Sequence, residues 1–180
     1  MGEMQGRIHR EHPFRTPLEL REPARRFRGR LASPVTVWTA GTGETRAGLT
    51  VSSLVVAEGE PPTVFGLVGV TTDLVDILRE TEAFVVHVLE SKDRPLAERF
   101  ALRHPSPGGL FKGLRVVDSK WGPVLTALAN RVSCRYTEAT ETGNHLLVRG
   151  AIEEIELGEL ADPLVYFRGG YRGLPPEADD

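Results

Sequence analysis

The chain has 180 residues, 40% apolar and 26% charged, with 22 lysines and arginines against 25 aspartates and glutamates for a net charge of −3. That is ordinary globular composition with room for one domain and an arm, and it lacks the global basic charge of a nucleic-acid-binding protein. The lone Cys134 allows no internal disulfide, the N-terminus shows no apolar signal core, and no apolar run approaches membrane-spanning length, so a cytoplasmic home is expected.

Residues 1–30 hold eight arginines, at 7, 10, 15, 21, 25, 26, 28 and 30, against four glutamates, and three prolines interrupt the first 23 residues. An exposed arm over residues 1–24, solvated or wrapped on a partner subunit, suits this better than a nucleic-acid patch, because no nucleic-acid-binding motif accompanies the charge. A short helix starting after Pro23 would carry Phe27 and Leu31 on one face. Residues 34–40, PVTVWTA, read as a strand, GTGET as a glycine-punctuated turn, and residues 46–56, RAGLTVSSLVV, as the returning strand of a hairpin. PTVFGLVGV, residues 62–70, is a further β-rich run.

Helical period takes over in TDLVDILRE, where Leu74, Ile77 and Leu78 share a face and Thr72 or Asp73 serves as N-cap. AFVVHVL, residues 83–89, returns to strand. DRPLAERFALRH predicts a second helix, with Asp93 as N-cap, Pro95 in the first turn and Leu96 and Phe100 as its apolar pair. After a Gly/Pro loop, LRVVDS is a short strand, and residues 128–139 and 145–157 are two long strands joined through TETGN. PLVYFRGGY, residues 163–171, is the last short strand, and residues 175–180 form a tail. Seven or eight strands joined by hairpin turns, with two or three short helices, indicate a mainly β fold, an antiparallel barrel. Trp38 and Trp121 read as core or interface packing, and Cys134 as an inert thiol. No GxGxxG, P-loop, CxxC or HExxH spacing is present, so no metal site is expected.

AGLTVSS, residues 47–53, admits two readings from its residues. Small residues let a backbone approach a flat ligand, with hydroxyls and amides on its polar edge. Equally, serine and threonine could satisfy backbone groups at a bulge or strand end. Order along the chain adds to this. Gly48-Leu49-Thr50-Val51-Ser52-Ser53, then Glu60-Pro61-Pro62-Thr63-Val64, Phe84-Val85-Val86-His87-Val88-Leu89 and Leu96-Ala97-Glu98-Arg99-Phe100 precede Gly143-Asn144-His145 and the segment from Pro163 to Tyr171. This succession, over residues 25–174, resembles the flavin reductase-like family: FMN-binding split β-barrels that serve as the small component of two-component flavin monooxygenases, such as component B of nitrilotriacetate monooxygenase.

The resemblance implies FMN, with FAD as an alternative, in a groove between the subunits of a homodimer. Arg46, Ala47, Gly48, Leu49 and Thr50, with Ser52 and Ser53, would line the ring system and ribityl chain, and Leu67, Val68 and Gly69 would continue that wall. Thr71 and Thr72, at a helix start, would approach the phosphate, with Arg99 and Phe100 as further contributors. Asp73 and Leu74 stand where the family often has arginine, serine or threonine, so weak phosphate recognition is expected. His145, with Arg168, Gly169 and Tyr171, matches segments implied to hold the nicotinamide of NADH or NADPH. His145 is the one side chain that the resemblance places near the chemistry; hydride would pass from nicotinamide C4 to flavin N5, carried by the cofactors. His87, where the family commonly has asparagine, reads as a hydrogen-bonded strand histidine in preference to a flavin contact.

The function so implied is an NAD(P)H:flavin oxidoreductase supplying reduced flavin to an oxygenase component. The alternative is an FMN-binding electron carrier or flavin-holding protein without reductase activity. Binding to nucleic acid or membrane is not expected.

Overall fold

The computed structural model describes residues 23–70, 72–102 and 106–174. Most of the expected arm, the tail over residues 175–180, and Thr71 lie outside the described residues. The first helix, α1 (Pro23–Arg28), matches the expected position, but its apolar pair is not packed: Phe27 and Leu31 are both exposed.

Among the described residues twelve strands, most of them short but β9 and β10 of 12 residues each, sit in three antiparallel sheets. β1 (Ser33–Pro34) pairs with β11 (Leu164–Phe167), which pairs in turn with β12 (Gly170–Gly173). The last strand expected from the sequence is therefore two. Its Arg168 and Gly169 adopt φ of 49° and 82°, the left-handed pair that a tight two-residue hairpin of this twist requires. The large sheet holds β2 (Thr36–Ala40), β3 (Ala47–Val51), β4 (Leu54–Ala57), β5 (Thr63–Gly69), β6 (Ala83–Val88), β9 (Arg131–Thr142) and β10 (His145–Glu156). Its spatial order is β3-β2-β6-β9-β10-β5-β4.

That order corrects the single strand expected over residues 46–56. β3 and β4 follow each other in sequence yet form opposite ends of the sheet, so the chain breaks at Ser52 and Ser53. A sheet whose two ends are joined by two residues must curl upon itself; the Leu67 N–H donates to Ser53 O at 2.9 Å, which carries the β4–β5 ladder up to the junction. A further pair, β7 (Val116–Ser119) and β8 (Gly122–Leu125), forms a hairpin. β8 has no counterpart among the expected elements; its Gly-Pro start reads as a breaker.

The barrel interior is built around Trp38 of β2 and Phe84 of β6, stacked with ring centroids 4.9 Å apart and both fully buried. Glycines make room for them: a Cβ at Gly66 would lie 2.6 Å from the Trp38 ring, and one at Gly150 would lie 2.4 Å from Phe84. α2 (Asp73–Thr81) closes one side with Leu74, Val75 and Leu78. α3 (Arg94–Phe100) packs Ala97 and Phe100 into a second cluster with Val35, Val37, Leu89, Leu125 and Tyr171. Cys134 is buried in the barrel core and burial pushes its thiol up to about 12, consistent with an inert side chain.

His87 of β6 joins three elements. Its Nδ1 lies 3.1 Å from Val37 O, and its Nε2 accepts from the Leu125 N–H at 3.1 Å. An amide can only donate, so Nε2 is unprotonated and Nδ1 carries the proton that bonds Val37. The side chain is fully buried, and burial lowers its pKa from 6.5 to about 4. His87 is a structural staple between β2, β6 and β8.

Candidate functional site

Among the described residues β3 is the end strand of the sheet, and its one strand partner is β2. Against it, on the side where α2 begins, runs a cleft of about 340 Å³. Its walls are the 3₁₀ turn Gly43–Thr45, the β3 residues Arg46, Ala47, Gly48 and Leu49, the α2 start at Thr72, Asp73 and Leu74 with Ile77, and Leu102 and Leu110. This volume is at the lower end of the range for small-molecule sites, which are mainly apolar with a few placed polar groups.

The cleft thus brings five expected residues, Arg46, Ala47, Gly48, Leu49 and Thr72, to one place. The roles of the individual side chains are more varied. Gly48 does open space, but for protein: a Cβ there would lie 2.4 Å from Phe100 Cε1 and 3.3 Å from Phe111 Cζ. Phe100 is fully buried behind the β3 wall, packed edge-on to Phe111 at 5.3 Å. The Thr50 hydroxyl donates to Ala97 O at 2.7 Å and so ties β3 to α3. Ser52 and Ser53 are half-buried, and their hydroxyls make no hydrogen bond among the described residues. Leu67 is half-buried, Val68 is core, and Gly69 packs near the Thr72 methyl, whose hydroxyl donates to Gly69 O at 3.0 Å.

Thr72 is the N-cap of α2 by position without a side-chain capping bond, and Asp73 and Asp76 occupy the first turn. Arg99 does not line the cleft. Its Nη2 donates to Gly109 O at 2.9 Å and Lys112 O at 2.8 Å, fastening the loop that presents Leu110. Arg46 is held in a two-point ion pair by Asp118 of β7: Nε to Oδ1 at 2.9 Å and Nη2 to Oδ2 at 2.7 Å. The guanidinium holds the Asp118 carboxyl below the usual carboxylate range, helped by the Gly43 N–H at 3.3 Å. Nothing in the sequence links positions 46 and 118; only the β7–β8 hairpin brings them together.

None of the nicotinamide candidates is among the residues lining this cleft. His145 opens β10, paired with Gly69 and Thr142, and is half-buried. Arg168 and Gly169 form the β11–β12 turn, where the Arg168 N–H donates to Gly29 O at 2.9 Å and its guanidinium lies 5.3 Å from the Phe167 ring centroid. Tyr171 is buried against α3 with its hydroxyl 3.5 Å from Ala97 O, and packs on Tyr166. His145 lies on the large sheet and the other three on the small one.

The donor set suits a flat aromatic ring with one polar edge. An end strand offers main-chain groups with no strand opposite, Thr45 and Thr72 offer hydroxyls, and Leu49, Leu74, Leu102 and Leu110 offer apolar surface; Ser52 and Ser53 follow the end of β3 and are not among the lining residues. A flavin has that shape and polarity, so the residues present fit it.

Residues 28–175 match the family model described as the flavin reductase like domain. The chain belongs to that family. It is 36% identical over 155 residues to the reductase component of 4-hydroxyphenylacetate 3-monooxygenase from Thermus thermophilus, covering 86% of this chain and 97% of that one. It is 33% identical over 153 residues to an NADH-dependent FMN reductase from Streptomyces nodosus subsp. asukaensis, covering 83% of each. Among solved structures, an NADH:FAD oxidoreductase from Streptomyces globisporus superposes with a TM-score of 0.77 at 26% identity, covering 89% of this chain and all of that one. The mainly β split-barrel fold and the flavin-reductase assignment expected from the sequence both stand. Among the described residues, no helix is long and apolar enough to cross a membrane.

Proposed function

We propose that this protein is an NAD(P)H-dependent flavin reductase that binds flavin along β3 in the cleft closed by α2, and that it supplies reduced flavin to a partner monooxygenase. The observation that carries the siting is the open edge of β3 beside a cleft of suitable size and polarity. The bound flavin would supply the electron-accepting ring, with NADH or NADPH as the donor.

The chain's own part is to bind, align and keep water out. Leu49, Leu74, Leu102 and Leu110 would cover the faces and edges of the ring, while main-chain groups of β3, joined by the Ser52 and Ser53 hydroxyls just past the end of that strand, would hold its polar rim. Among the described residues, the cleft lining includes no histidine or cysteine, and its carboxylates, Glu44 and Asp73, have no acid–base partner there. Alignment of two cofactors, and not proton transfer by a side chain, is the chemistry that such a lining can perform. His145, beside Gly69, and the Arg168–Gly169 turn with Tyr171 are the residues we assign to the nicotinamide side.

The protein works as a homodimer in the cytoplasm, where reduced nicotinamide is kept in supply. Pairing across β4, β5 and β10 lines up Val55, Phe65 and Arg149 on the outer face, with Val55 exposed and the guanidinium 5.8 Å from the Phe65 ring centroid. The apolar surface of Val55 and Phe65 in this row supports burial against a second copy. Light scattering should return twice 19.8 kDa; a monomer mass would reject the dimer. The reductase assignment is tested by loss of nicotinamide absorbance with FMN or FAD and either NADH or NADPH. Turnover with at least one pair is expected. Stoichiometric yellow flavin without NAD(P)H oxidation would instead make the protein a flavin carrier.

A further inference from the structure

We infer that Asp118 determines which flavins this cleft favours: by holding Arg46 at two points, it withholds that cation from a flavin's phosphate. The site then reads the ring and its polyol chain but not the terminal charge. This rests on the cleft being the flavin site.

Among the described residues lining the cleft, Arg46 is the single cation, and the other charged ones are Glu44 and Asp73. Of these described groups, a phosphate entering here would meet two like charges and an arginine already paired. Both guanidinium contacts to Asp118 are short and charge-assisted, the two-point geometry that arginine also uses for phosphate. Carboxylate and phosphate would therefore compete for the same face of the same group.

The competitor is fixed in place. Asp118 sits on β7 opposite Pro123 of β8, and Pro123 O accepts from the buried Thr39 hydroxyl of β2 at 2.6 Å. Gly122 lies so close to β2 that a Cβ would stand 3.2 Å from Ala40 Cα. Oδ2 of Asp118 also takes the Gly43 N–H, which ties the turn before β3 to the same carboxylate. Asp73 and Asp76 in the first turn of α2 offset the positive end of the helix, which would otherwise attract an anion. Each of these features reduces the cleft's preference for charge.

Titrations of riboflavin and FMN, followed by flavin fluorescence, test this in the full chain. The native protein should bind the two within about threefold of each other, a difference of under 1 kcal/mol. Asp118→Asn keeps the side-chain shape while releasing Arg46. It should tighten FMN about tenfold, leave riboflavin nearly unchanged, and make FMN affinity fall with added salt. The double variant Arg46→Gln, Asp118→Asn should return the ratio to the native value, and carries the test if the single variant is unstable. Native preference for FMN by more than about tenfold would overturn the inference, as would equal tightening of both flavins in Asp118→Asn. Failure of the native protein to bind either flavin would instead reject the flavin cleft itself.

Discussion

At position 48 the residue type and its reason come apart. A glycine in AGLTVSS suggests close approach of a flat ligand, and Gly48 does line the cleft. Yet the space that a methyl group would fill is taken by Phe100. The signal for a special backbone position is legible in the sequence, but the neighbour is not, because Phe100 arrives from α3, far along the chain. His87 shows the opposite case. A histidine in the apolar run AFVVHVL is legible as a buried, hydrogen-bonded residue, and the structure supplies the two partners, Val37 and Leu125.

That burial has a consequence for acid stability. The folded pKa, about 4, is below the ordinary 6.5. As pH falls below 6.5 the unfolded chain takes up the proton first, so stability is lost until the folded protein protonates near pH 4. The loss from this group approaches about 3 kcal/mol at the acid end. His87→Gln removes the titration. Urea unfolding at about pH 7 and again at about pH 4 should show the gap between native and variant proteins narrowing by that amount. Parallel loss in both would contradict the account.

Among the elements, those with clear periodicity are legible: α2 and α3 appear where the apolar spacing places them, and β9 and β10 meet at Gly143, whose φ of 58° suits the first position of their two-residue turn. The break between β3 and β4 is not, because Ser52-Ser53 contains neither glycine nor proline and the apolar pattern runs through it. The loop after α3 is equally opaque, since its anchor is a side chain. Arg99 holds the Gly109 and Lys112 carbonyls, and through them Leu110 on the cleft. Replacing Arg99 by Met keeps the stem and removes both bonds. Amide exchange over residues 109–112 should accelerate, while exchange in β9 and β10 stays as before. Unchanged exchange in the loop would show that it is held by Phe111 and its apolar neighbours alone.

For the whole molecule, sheet closure and the site are one event. The chain leaves one end of the large sheet at β3 and rejoins the other end at β4, so an open strand edge is left facing α2 instead of being paired. The sequence carries the family pattern in ordered segments, which is why the fold and activity are legible from it. The electrostatic character of the cleft is not, because it depends on Asp118, 72 residues from Arg46 along the chain.

The central claim is that flavin lies along β3 in the cleft closed by α2. A crystal structure of the protein grown with flavin tests it directly. Ring density should run beside Arg46, Gly48 and Leu49, with its polar edge toward Ser52 and Ser53. Ring density elsewhere, with this cleft filled by solvent alone, would contradict it.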